Sequence, residues 1–283
     1  MKINDLFIDF RITSRCNIGC DLCFRNPEIR DEKISDILPI ITKASRIGFK
    51  GMGFTGGEPT IRDDYIEMIK HAKSCDMLTY LSTVGHDFIR QRNQLEGILN
   101  WIGLPIDGIN FATNEAIRSS FMGTQHEILQ DIFNALSKKP TPIKIKLTTI
   151  VTKINIHELG AIISFVEKLP YKFNMWRFYQ FCPIGIANAK SDKLAIGTKI
   201  FCEEMAELTK QYSHLPISYA TFEERDMANI IMEPNFDVII PEGTDYSLLG
   251  NMQKDSEEII TAAITNSQND LINKCVRNRA WID

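Results

Sequence analysis

Apolar and polar residues alternate along the first two thirds of the chain in a rhythm of short strands and helices. Strands are expected where alternating or continuous apolar runs are bounded by Gly, Pro, Asn or Asp. We predict six such strands, at residues 7–13, 52–55, 78–83, 108–112, 144–152 and 175–181. A helical pattern follows each of them. The alternation predicts an α/β fold in which a parallel sheet curls as a partial (β/α)6 TIM-like barrel, two units short of a closed barrel.

Three of the predicted helices have a clear apolar stripe at helical spacing. The stripes consist of Ile34, Ile37, Leu38 and Ile41; of Leu129, Ile132, Phe133 and Leu136; and of Leu159, Ile162, Ile163 and Val166. We expect the first helix to end at Gly48, the second to end before Pro140, and the third to cover residues 157–168.

The rhythm changes after a sixth helix at about residues 200–212. A further strand is expected at residues 216–222, and residues 229–232 and 238–240 are typical of a hairpin. Residues 254–283 are polar, and we expect them to be helical in part. We therefore divide the chain into a core, residues 1–190, and a C-terminal extension of helix, strand, hairpin and helical tail, residues 191–283.

Length and charge narrow the class of protein. A chain of 283 residues with 44% hydrophobic content can bury one sizeable core. The net charge of −4 and the absence of a basic run argue against a nucleic-acid partner. The first residues lack the apolar segment of a signal peptide, and no apolar run reaches membrane-spanning length. We expect a cytoplasmic protein that binds neither nucleic acid nor membrane.

Three of the seven cysteines, Cys16, Cys20 and Cys23, fall within eight positions just after the first strand. In barrel-like folds, loops at the carboxyl ends of strands carry the catalytic groups. In a reducing compartment this clustering indicates metal ligands rather than disulfides. Three thiolates can hold three irons of a cubane and leave the fourth iron without a protein ligand. The alternative is a zinc site, which needs a fourth ligand such as the distant Cys75.

A second motif, Gly56-Gly57-Glu58-Pro59, follows the second strand directly. Two glycines would let the backbone approach a ligand closely, and Glu58 offers a carboxylate to an ammonium group. Taken alone, such a run is more often an ordinary turn. Its position one β/α unit after the cysteine loop makes a chance occurrence a poor explanation.

The CxxxCxxC and GGEP motifs together resemble the radical S-adenosylmethionine (SAM) superfamily, and the resemblance covers residues 5 to about 190. It implies that Cys16, Cys20 and Cys23 bind one [4Fe–4S] cluster whose open iron chelates SAM. A flavodoxin- or ferredoxin-type reductant would supply the electron. Cleavage of SAM would then give a 5′-deoxyadenosyl radical that abstracts a hydrogen from the substrate.

Weaker similarities to the family follow in the family's order. They are Thr83-Val84-Gly85; Leu104-Pro105-Ile106-Asp107-Gly108; Arg118 and Gly123, with Met122 in place of a usual arginine; Thr152-Lys153-Ile154-Asn155; and Gln180, Pro183 and Gly185. The resemblance implies contacts with SAM for Leu22, Gly56, Gly57, Glu58, Thr83, Asn155 and Gln180.

The segment from Phe236 to Met252 resembles the scaffold of the SPASM and twitch extensions, which bind auxiliary clusters through cysteines. Where the first such cysteine would stand, this chain has Pro241. The remaining Cys182, Cys202 and Cys275 show no ligand spacing, so we predict one cluster. Cys182 follows the sixth strand and is a candidate donor of a hydrogen atom to a product radical.

Polar residues alternate with apolar ones on the first, fifth and sixth strands. The polar set is Asp9, Arg11, Thr13, Lys144, Lys146, Thr148, Arg177 and Tyr179. Because the apolar face must pack on helices, the polar face is expected to line the lumen; the alternative is that these residues reach solvent at strand ends. The lumen assignment predicts a cationic pocket for an anionic small molecule. The predicted substrate residues are Arg11, Lys146, Arg177 and Tyr179.

The sixth-strand run Trp176-Arg177-Phe178-Tyr179-Gln180 and a lysine on the fifth strand resemble viperin-like enzymes. That resemblance implies a nucleotide-like substrate. The segment from Leu104 to Gly108 is closer to peptide- and cofactor-maturing relatives, so a peptide- or sugar-modifying enzyme remains an alternative. A non-enzymatic iron–sulfur protein with a vestigial SAM site is the other, and the intact Glu58 favours an enzyme.

Overall fold

A ten-stranded sheet runs through the computed structural model, which describes residues 3–120, 123–266, 271 and 273–275. Its strands lie in the order β12-β11-β10-β1-β3-β4-β5-β7-β8-β9, and β2 and β6 form a separate antiparallel pair. The strands are β1 (Phe7–Thr13), β2 (Ile18–Cys20), β3 (Gly51–Gly56), β4 (Leu78–Ser82), β5 (Trp101–Pro105), β6 (Arg118–Ser120), β7 (Lys144–Val151), β8 (Met175–Gln180), β9 (Ile217–Ala220), β10 (Ile230–Met232), β11 (Asp237–Glu242) and β12 (Asp245–Asn251).

The helices include the three for which an apolar stripe was predicted. They are α1 (Ile34–Ile47), α2 (Tyr65–Ser74), α3 (Phe88–Leu95), α4 (Phe111–Ile117), α5 (Gln125–Lys138), α6 (Leu159–Glu167), α7 (Ser191–Leu194), α8 (Thr198–Gln211), α9 (Phe222–Arg225) and α10 (Glu257–Asn266). Helix α1 ends at Gly48, whose φ of +101° is a left-handed conformation that glycine adopts without a Cβ penalty. Among the described residues, no helix is both long and apolar enough to cross a membrane.

Six neighbouring strands of the sheet, β1, β3, β4, β5, β7 and β8, pair in parallel. The chain passes through helices between consecutive strands of this set, so the fold class agrees with the prediction. One face of the strands packs in the main hydrophobic core, as the alternation predicted. The buried side chains on that face include Ile8, Phe10, Ile12, Ile145, Leu147, Trp176 and Phe178.

The fourth strand lies earlier in the chain than predicted. The sequence pattern placed it at residues 108–112, whereas β5 is Trp101–Pro105 and the later segment leads into α4. Gly103 interrupts the apolar run of this strand, so the sequence pattern did not indicate a strand there. The structure shows why glycine stands there, because a Cβ at this position would lie 1.9 Å from the phenol oxygen of Tyr80. Pro105 is the last residue of the strand, where the ladder can end without its missing N–H.

The C-terminal extension adds strands to both edges of the core sheet. β9 pairs in parallel with β8, and β10 pairs in parallel with β1. The predicted hairpin is present as β10 and β11, with β12 as a further antiparallel strand that the sequence pattern did not reveal. The division of the chain at residue 190 stays a prediction, since strands from both parts share one sheet. Residues 267–270, 272 and 276–283 of the predicted helical tail lie outside the described residues.

We predict that Gly103→Ala destabilises the protein by about 1–3 kcal/mol, the usual cost of overpacking a core. The new methyl group must displace the ring of Tyr80, which also lines the cavity described below. Urea denaturation measures the change. The control is Gly160→Ala in α6, where the added Cβ meets only an ordinary contact at 4.0 Å. In that helix, alanine should raise stability by up to about 1 kcal/mol. Equal effects of the two substitutions would contradict the packing argument.

Candidate active site

The carboxyl ends of the parallel strands surround a cavity of about 270 Å³, which the C-terminal extension covers in part. Most of the predicted site residues line it. Those on its wall are Arg11, Cys16, Cys20, Leu22, Cys23, Gly56, Gly57, Glu58, Thr83, Lys146 and Tyr179. Three other predicted site residues, Asn155, Gln180 and Arg177, are described residues that do not line it. The chemical role of each residue stays a prediction.

The three cysteines of the loop after β1 face this cavity together. Cys20 ends β2, where pairing with β6 brings Arg118 alongside, and the Arg118 Nη1 lies 3.7 Å from the Cys20 Sγ. Burial raises the pKa of the Cys16 thiol and raises that of Cys20 to about 11. Iron binding therefore has to deprotonate these thiols, as metal binding does for cysteine in general.

The arrangement of the thiols bears on the zinc alternative. Within the described ranges, no three Cys, His, Asp or Glu side chains come together in a way that would hold a single metal ion. Three thiols spread around one cavity suit the separate irons of a cubane. Cys75, the fourth zinc ligand considered above, caps the end of α2 beside Thr42 and is not on the cavity wall. The donor set thus fits a [4Fe–4S] cluster with one open iron.

The two glycines of the GGEP motif let two loops touch. The Gly57 N–H donates to the Thr13 carbonyl at 2.7 Å, and the Glu58 N–H donates to the Arg15 carbonyl at 3.0 Å. A Cβ on Gly57 would lie 1.9 Å from that Arg15 oxygen, and Gly56 has a φ of +134°. The sequence analysis attributed these glycines to close approach of a ligand. In the structure the cysteine loop also approaches these glycines closely, and the approach of a ligand stays a prediction.

Glu58 is buried, and its carboxylate is oriented by the protein before any ligand arrives. Its Oε1 accepts from the Thr60 hydroxyl at 2.7 Å and from the Thr83 hydroxyl at 2.6 Å. Its Oε2 accepts from the Val84 N–H at 3.0 Å. Remaining lone pairs of Oε2 can accept from an ammonium group in the cavity. Thr83, predicted as a SAM contact, holds Glu58 in this orientation.

Asn155 and Gln180 are buried and hydrogen-bonded to protein groups. The Asn155 Nδ2 donates to the Asp107 and Ile150 carbonyls, each at 2.9 Å. The Gln180 Nε2 donates to the Ile196 carbonyl at 2.9 Å, and its Oε1 accepts from the Phe222 N–H at 2.8 Å. Both side chains therefore brace loops at the carboxyl ends of β7 and β8. Direct contact of either side chain with SAM stays a prediction.

The polar strand face does line the lumen, but only part of the predicted cationic set reaches the cavity. Lys146 lies on the wall, and its ammonium donates to the Tyr179 hydroxyl at 3.2 Å. Lys144 is exposed and lies over the Trp101 ring. Arg177 precedes Tyr179 on the same face and does not line the cavity. The alternation thus predicted the face correctly. Lys144 is the first residue of β7 and lies too near the amino end of the strand to reach the cavity, whereas Arg177 is level with the cavity residue Thr148 but does not line the cavity itself.

Arg11 is on the cavity wall, but its charge is already balanced. Its Nη1 forms a buried ion pair with Glu233, and its Nη2 donates to the Tyr246 hydroxyl at 2.8 Å. Burial alone would lower the pKa of Arg11, but Tyr246 and Glu233 offset this effect and raise it. The prediction of four cations in the cavity therefore overestimates the positive charge of its wall. Sequence reasoning missed Glu233 because Glu233-Pro234 has the composition of an ordinary turn.

Arg225 is a cavity residue that the sequence analysis did not identify. It ends the short helix α9, among acidic neighbours that gave no sign of a site. Its guanidinium lies 4.3 Å from the centre of the Tyr179 ring, and its Nη1 is 3.2 Å from the Cys182 Sγ. Burial raises the pKa of the Cys182 thiol, which also lines the cavity. Hydrogen donation by this thiol stays a prediction.

Comparison with known proteins agrees with this geometry. The family model for the radical SAM superfamily matches residues 10–166. A protein named S-adenosylmethionine-dependent nucleotide dehydratase, from Flammeovirga pacifica, is 30% identical over 218 residues, which are 69% of this chain and 70% of that protein. The chain belongs to the radical SAM superfamily. It is therefore a radical SAM enzyme, and the non-enzymatic alternative falls away. The family uses a [4Fe–4S] cluster and SAM, as predicted, and the residues present fit both.

The names of further relatives give different activities. A GTP 3′,8-cyclase from Desulforamulus reducens is 26% identical over 208 residues, 70% of this chain and 61% of that protein. The solved structure of Streptococcus suis SuiB bound to precursor peptide SuiA has a TM-score of 0.70 at 15% identity and covers 95% of this chain and 66% of that one. Native anSMEcpe with bound AdoMet has a TM-score of 0.66 at 13% identity, over 94% and 81%. These two structures show the shared fold.

Met122 of the family-like segment lies outside the described residues.

We predict that the anaerobically reconstituted protein binds about four irons and four sulfides per chain, the content of one cubane. Replacing Cys16, Cys20 or Cys23 by Ala should abolish the brown chromophore and SAM cleavage. Cys202→Ala, on α8 and outside the cavity wall, is the matched control and should keep both. Iron and sulfide assays measure the content. A reproducible value near eight irons would contradict the single cluster.

We predict that Glu58→Gln weakens SAM binding and leaves the cluster in place. The amide presents an NH₂ group to a site built of donors, and a charge-assisted hydrogen bond to the SAM ammonium is lost. The expected cost is on the order of 1–2 kcal/mol, or roughly five- to thirtyfold in affinity. Anaerobic titration with SAM measures it, with iron content as the control. Unchanged SAM affinity would mean that Glu58 does not contact SAM.

Proposed function

We propose that this enzyme uses the reductive cleavage of SAM to abstract a hydrogen atom from an anionic, nucleotide-like small molecule. The supporting observation is a pair of cationic side chains, Lys146 and Arg225, that both contact Tyr179 in the wall of the cavity. The curated relatives supply independent support, since their names give nucleotide dehydratase and GTP cyclase activities. The aligned regions span 70% and 61% of those two proteins, so their substrates come to this chain as a proposal.

The charge of the cavity is the first support for an anionic ligand. Lys146 is only 4% exposed, and its ammonium lies 5.7 Å from the centre of the Tyr80 ring. Within the described residues, Arg225 contacts the Tyr179 ring and the Cys182 thiol but forms no ion pair, and its buried Nε has no hydrogen-bond partner. A phosphate group that enters between these side chains would pair with both and offset their repulsion.

The aromatic lining of the cavity is the second support. The rings of Phe24, Tyr80, Tyr179 and Tyr246 line the same space as the cations. Flat aromatic side chains can stack on a nucleobase, and tyrosine adds a hydroxyl for ribose or base edges. A wall that combines stacking surfaces with cations suits a nucleotide better than a simple phosphate. It suits a polycationic aminoglycoside least, because like charges repel.

The bound cofactors supply a 5′-deoxyadenosyl radical when the cluster is reduced, and the chain's own residues hold the reactants. Glu58 and its partner Thr83 lie on the SAM side of the cavity, and Lys146, Tyr179 and Arg225 lie on the proposed substrate side. The proposal includes a flavodoxin- or ferredoxin-type reductant. It also includes a reducing cytoplasmic location, with which the seven free cysteines agree.

A thermal-shift panel with SAM present tests the substrate class. Nucleoside triphosphates should raise the melting temperature by mass action, and the matching nucleosides, which lack phosphate, should do so less. Aminoglycosides and short peptides are the contrasting ligands. If peptides or aminoglycosides stabilise the protein and no nucleotide does, the proposed substrate class is wrong and the sugar- or peptide-modifying alternative takes its place.

Substitutions of single cations give the sharper comparison. Lys146→Ala and Arg225→Ala should each weaken binding of the stabilising nucleotide by roughly ten- to hundredfold, the usual loss of a charged hydrogen bond. SAM cleavage without substrate should continue in both. Lys144→Ala, two residues away and outside the cavity wall, is the control and should bind normally. Isothermal titration measures binding. Equal losses for Lys144→Ala and Lys146→Ala would contradict the lumen assignment.

A further inference from the structure

The hydroxyl of Tyr246 joins the C-terminal extension to the cysteine loop. It accepts from the Arg11 Nη2 at 2.8 Å and donates to the carbonyl of Phe24 at 2.9 Å. Phe24 directly follows Cys23, the last cysteine of the motif. One hydroxyl thus holds the backbone next to a cluster ligand and the guanidinium of a buried arginine at the same time.

The same arginine is enclosed on its other sides. The guanidinium carbon of Arg11 lies 5.2 Å from the centre of the Phe24 ring and 5.1 Å from that of Tyr246. Its Nη1 forms the ion pair with Glu233, and Arg11 is only 3% exposed. A buried charge of this kind is stable only when it is paired and hydrogen-bonded. Glu233 and Tyr246 meet this requirement beside the cysteine loop.

Sheet register brings these distant residues together. β10 pairs in parallel with β1, and Phe10 is opposite Met232. The residues that follow these two are Arg11 and Glu233, so the register places them next to each other. The antiparallel β11 and β12 then return the chain with Pro241 opposite Tyr246, and both of these residues line the cavity. At the hairpin turn, the Thr244 carbonyl accepts from the Gly185 N–H at 3.4 Å. The hairpin therefore closes over the loop at a defined position.

We propose that Tyr246 and Glu233 are positioning residues for the cluster-binding loop. Tyr246 fixes the backbone immediately after Cys23, and Glu233 balances the positive charge of Arg11 beside it. The extension thus contributes to the cluster environment through a hydroxyl and a carboxylate, and its two cysteines, Cys202 and Cys275, do not line the cavity. This inference rests on the cysteine motif and the family, and it is independent of the substrate proposal.

Tyr246→Phe tests the backbone contact, because it removes one oxygen and keeps the ring. We expect anaerobic iron loss from the reconstituted protein to an external chelator to be roughly tenfold faster, consistent with the loss of two hydrogen bonds that hold the loop. Tyr212→Phe is the matched control, since its hydroxyl contacts Ser164 at 3.1 Å and lies outside the cavity wall. Unchanged iron loss in Tyr246→Phe, or an equal acceleration in Tyr212→Phe, would overturn the positioning role of Tyr246.

Glu233→Gln tests the charge balance with a readout that a purely structural role would not move. The amide keeps the shape and an acceptor for Arg11 but leaves one more positive charge near the cluster. Positive charge favours the reduced cluster, so its reduction potential should rise. Tyr246→Phe changes no charge and should shift the potential less. An anaerobic redox titration monitored by electron paramagnetic resonance measures both. A potential that does not move in Glu233→Gln, or that falls, would refute the role assigned to this carboxylate.

Discussion

The contact between the turn after β3 and the loop after β1 is the constraint on which the active centre depends. A Cβ on Gly56 would lie 2.3 Å from the Thr13 carbonyl oxygen, and one on Gly57 would lie 1.9 Å from the Arg15 carbonyl oxygen. Only glycines therefore allow the Gly57 and Glu58 N–H groups to reach these two carbonyls. This contact places the carboxylate of Glu58 on the same cavity as the three thiols. The candidate cofactor site is therefore formed by the ends of two neighbouring strands, and the contact between the two loops positions both motifs.

The cationic side chains of the cavity wall fall into two groups, one near the cysteines and one around Tyr179. Near the cysteines, Arg118 bonds to Asp107 at 2.5 Å and Arg11 pairs with Glu233. These two arginines are neutralised by carboxylates of the chain itself. Lys146 and Arg225 both contact Tyr179: the Lys146 ammonium lies 5.4 Å and the Arg225 guanidinium 4.3 Å from the centre of its ring. Aromatic faces attract cations, and the presence of these two cations in the cavity wall is what supports the proposal of an anionic substrate.

The C-terminal extension is continuous with the core in its hydrogen bonding. Its strands occupy both edges of the parallel sheet, and it delivers Tyr246 and Arg225 to the cavity wall and Glu233 to Arg11. Open sheet edges are usually covered or paired in stable proteins. Here the pairing of β10 with β1 protects an edge and supplies site residues at once. A functional description of the cavity consequently requires residues from both ends of the chain.

The sequence by itself determined the features that depend on local spacing. The cysteine motif, the GGEP turn, the helix stripes and the inward face of β1, β7 and β8 all follow from periodicity or from a motif a few residues long. The fourth strand was misplaced because Gly103 reads as a break until Tyr80 is known to lie against it. Only the tertiary structure decided which polar side chains reach the cavity and which of them form ion pairs. It moved Lys144 and Arg177 out of the cavity, and it paired Arg11 with a carboxylate 222 positions away. The face of a strand on which a side chain lies follows from the local alternation of the backbone, whereas its ion-pair partner depends on the register of strands that are far apart in the chain.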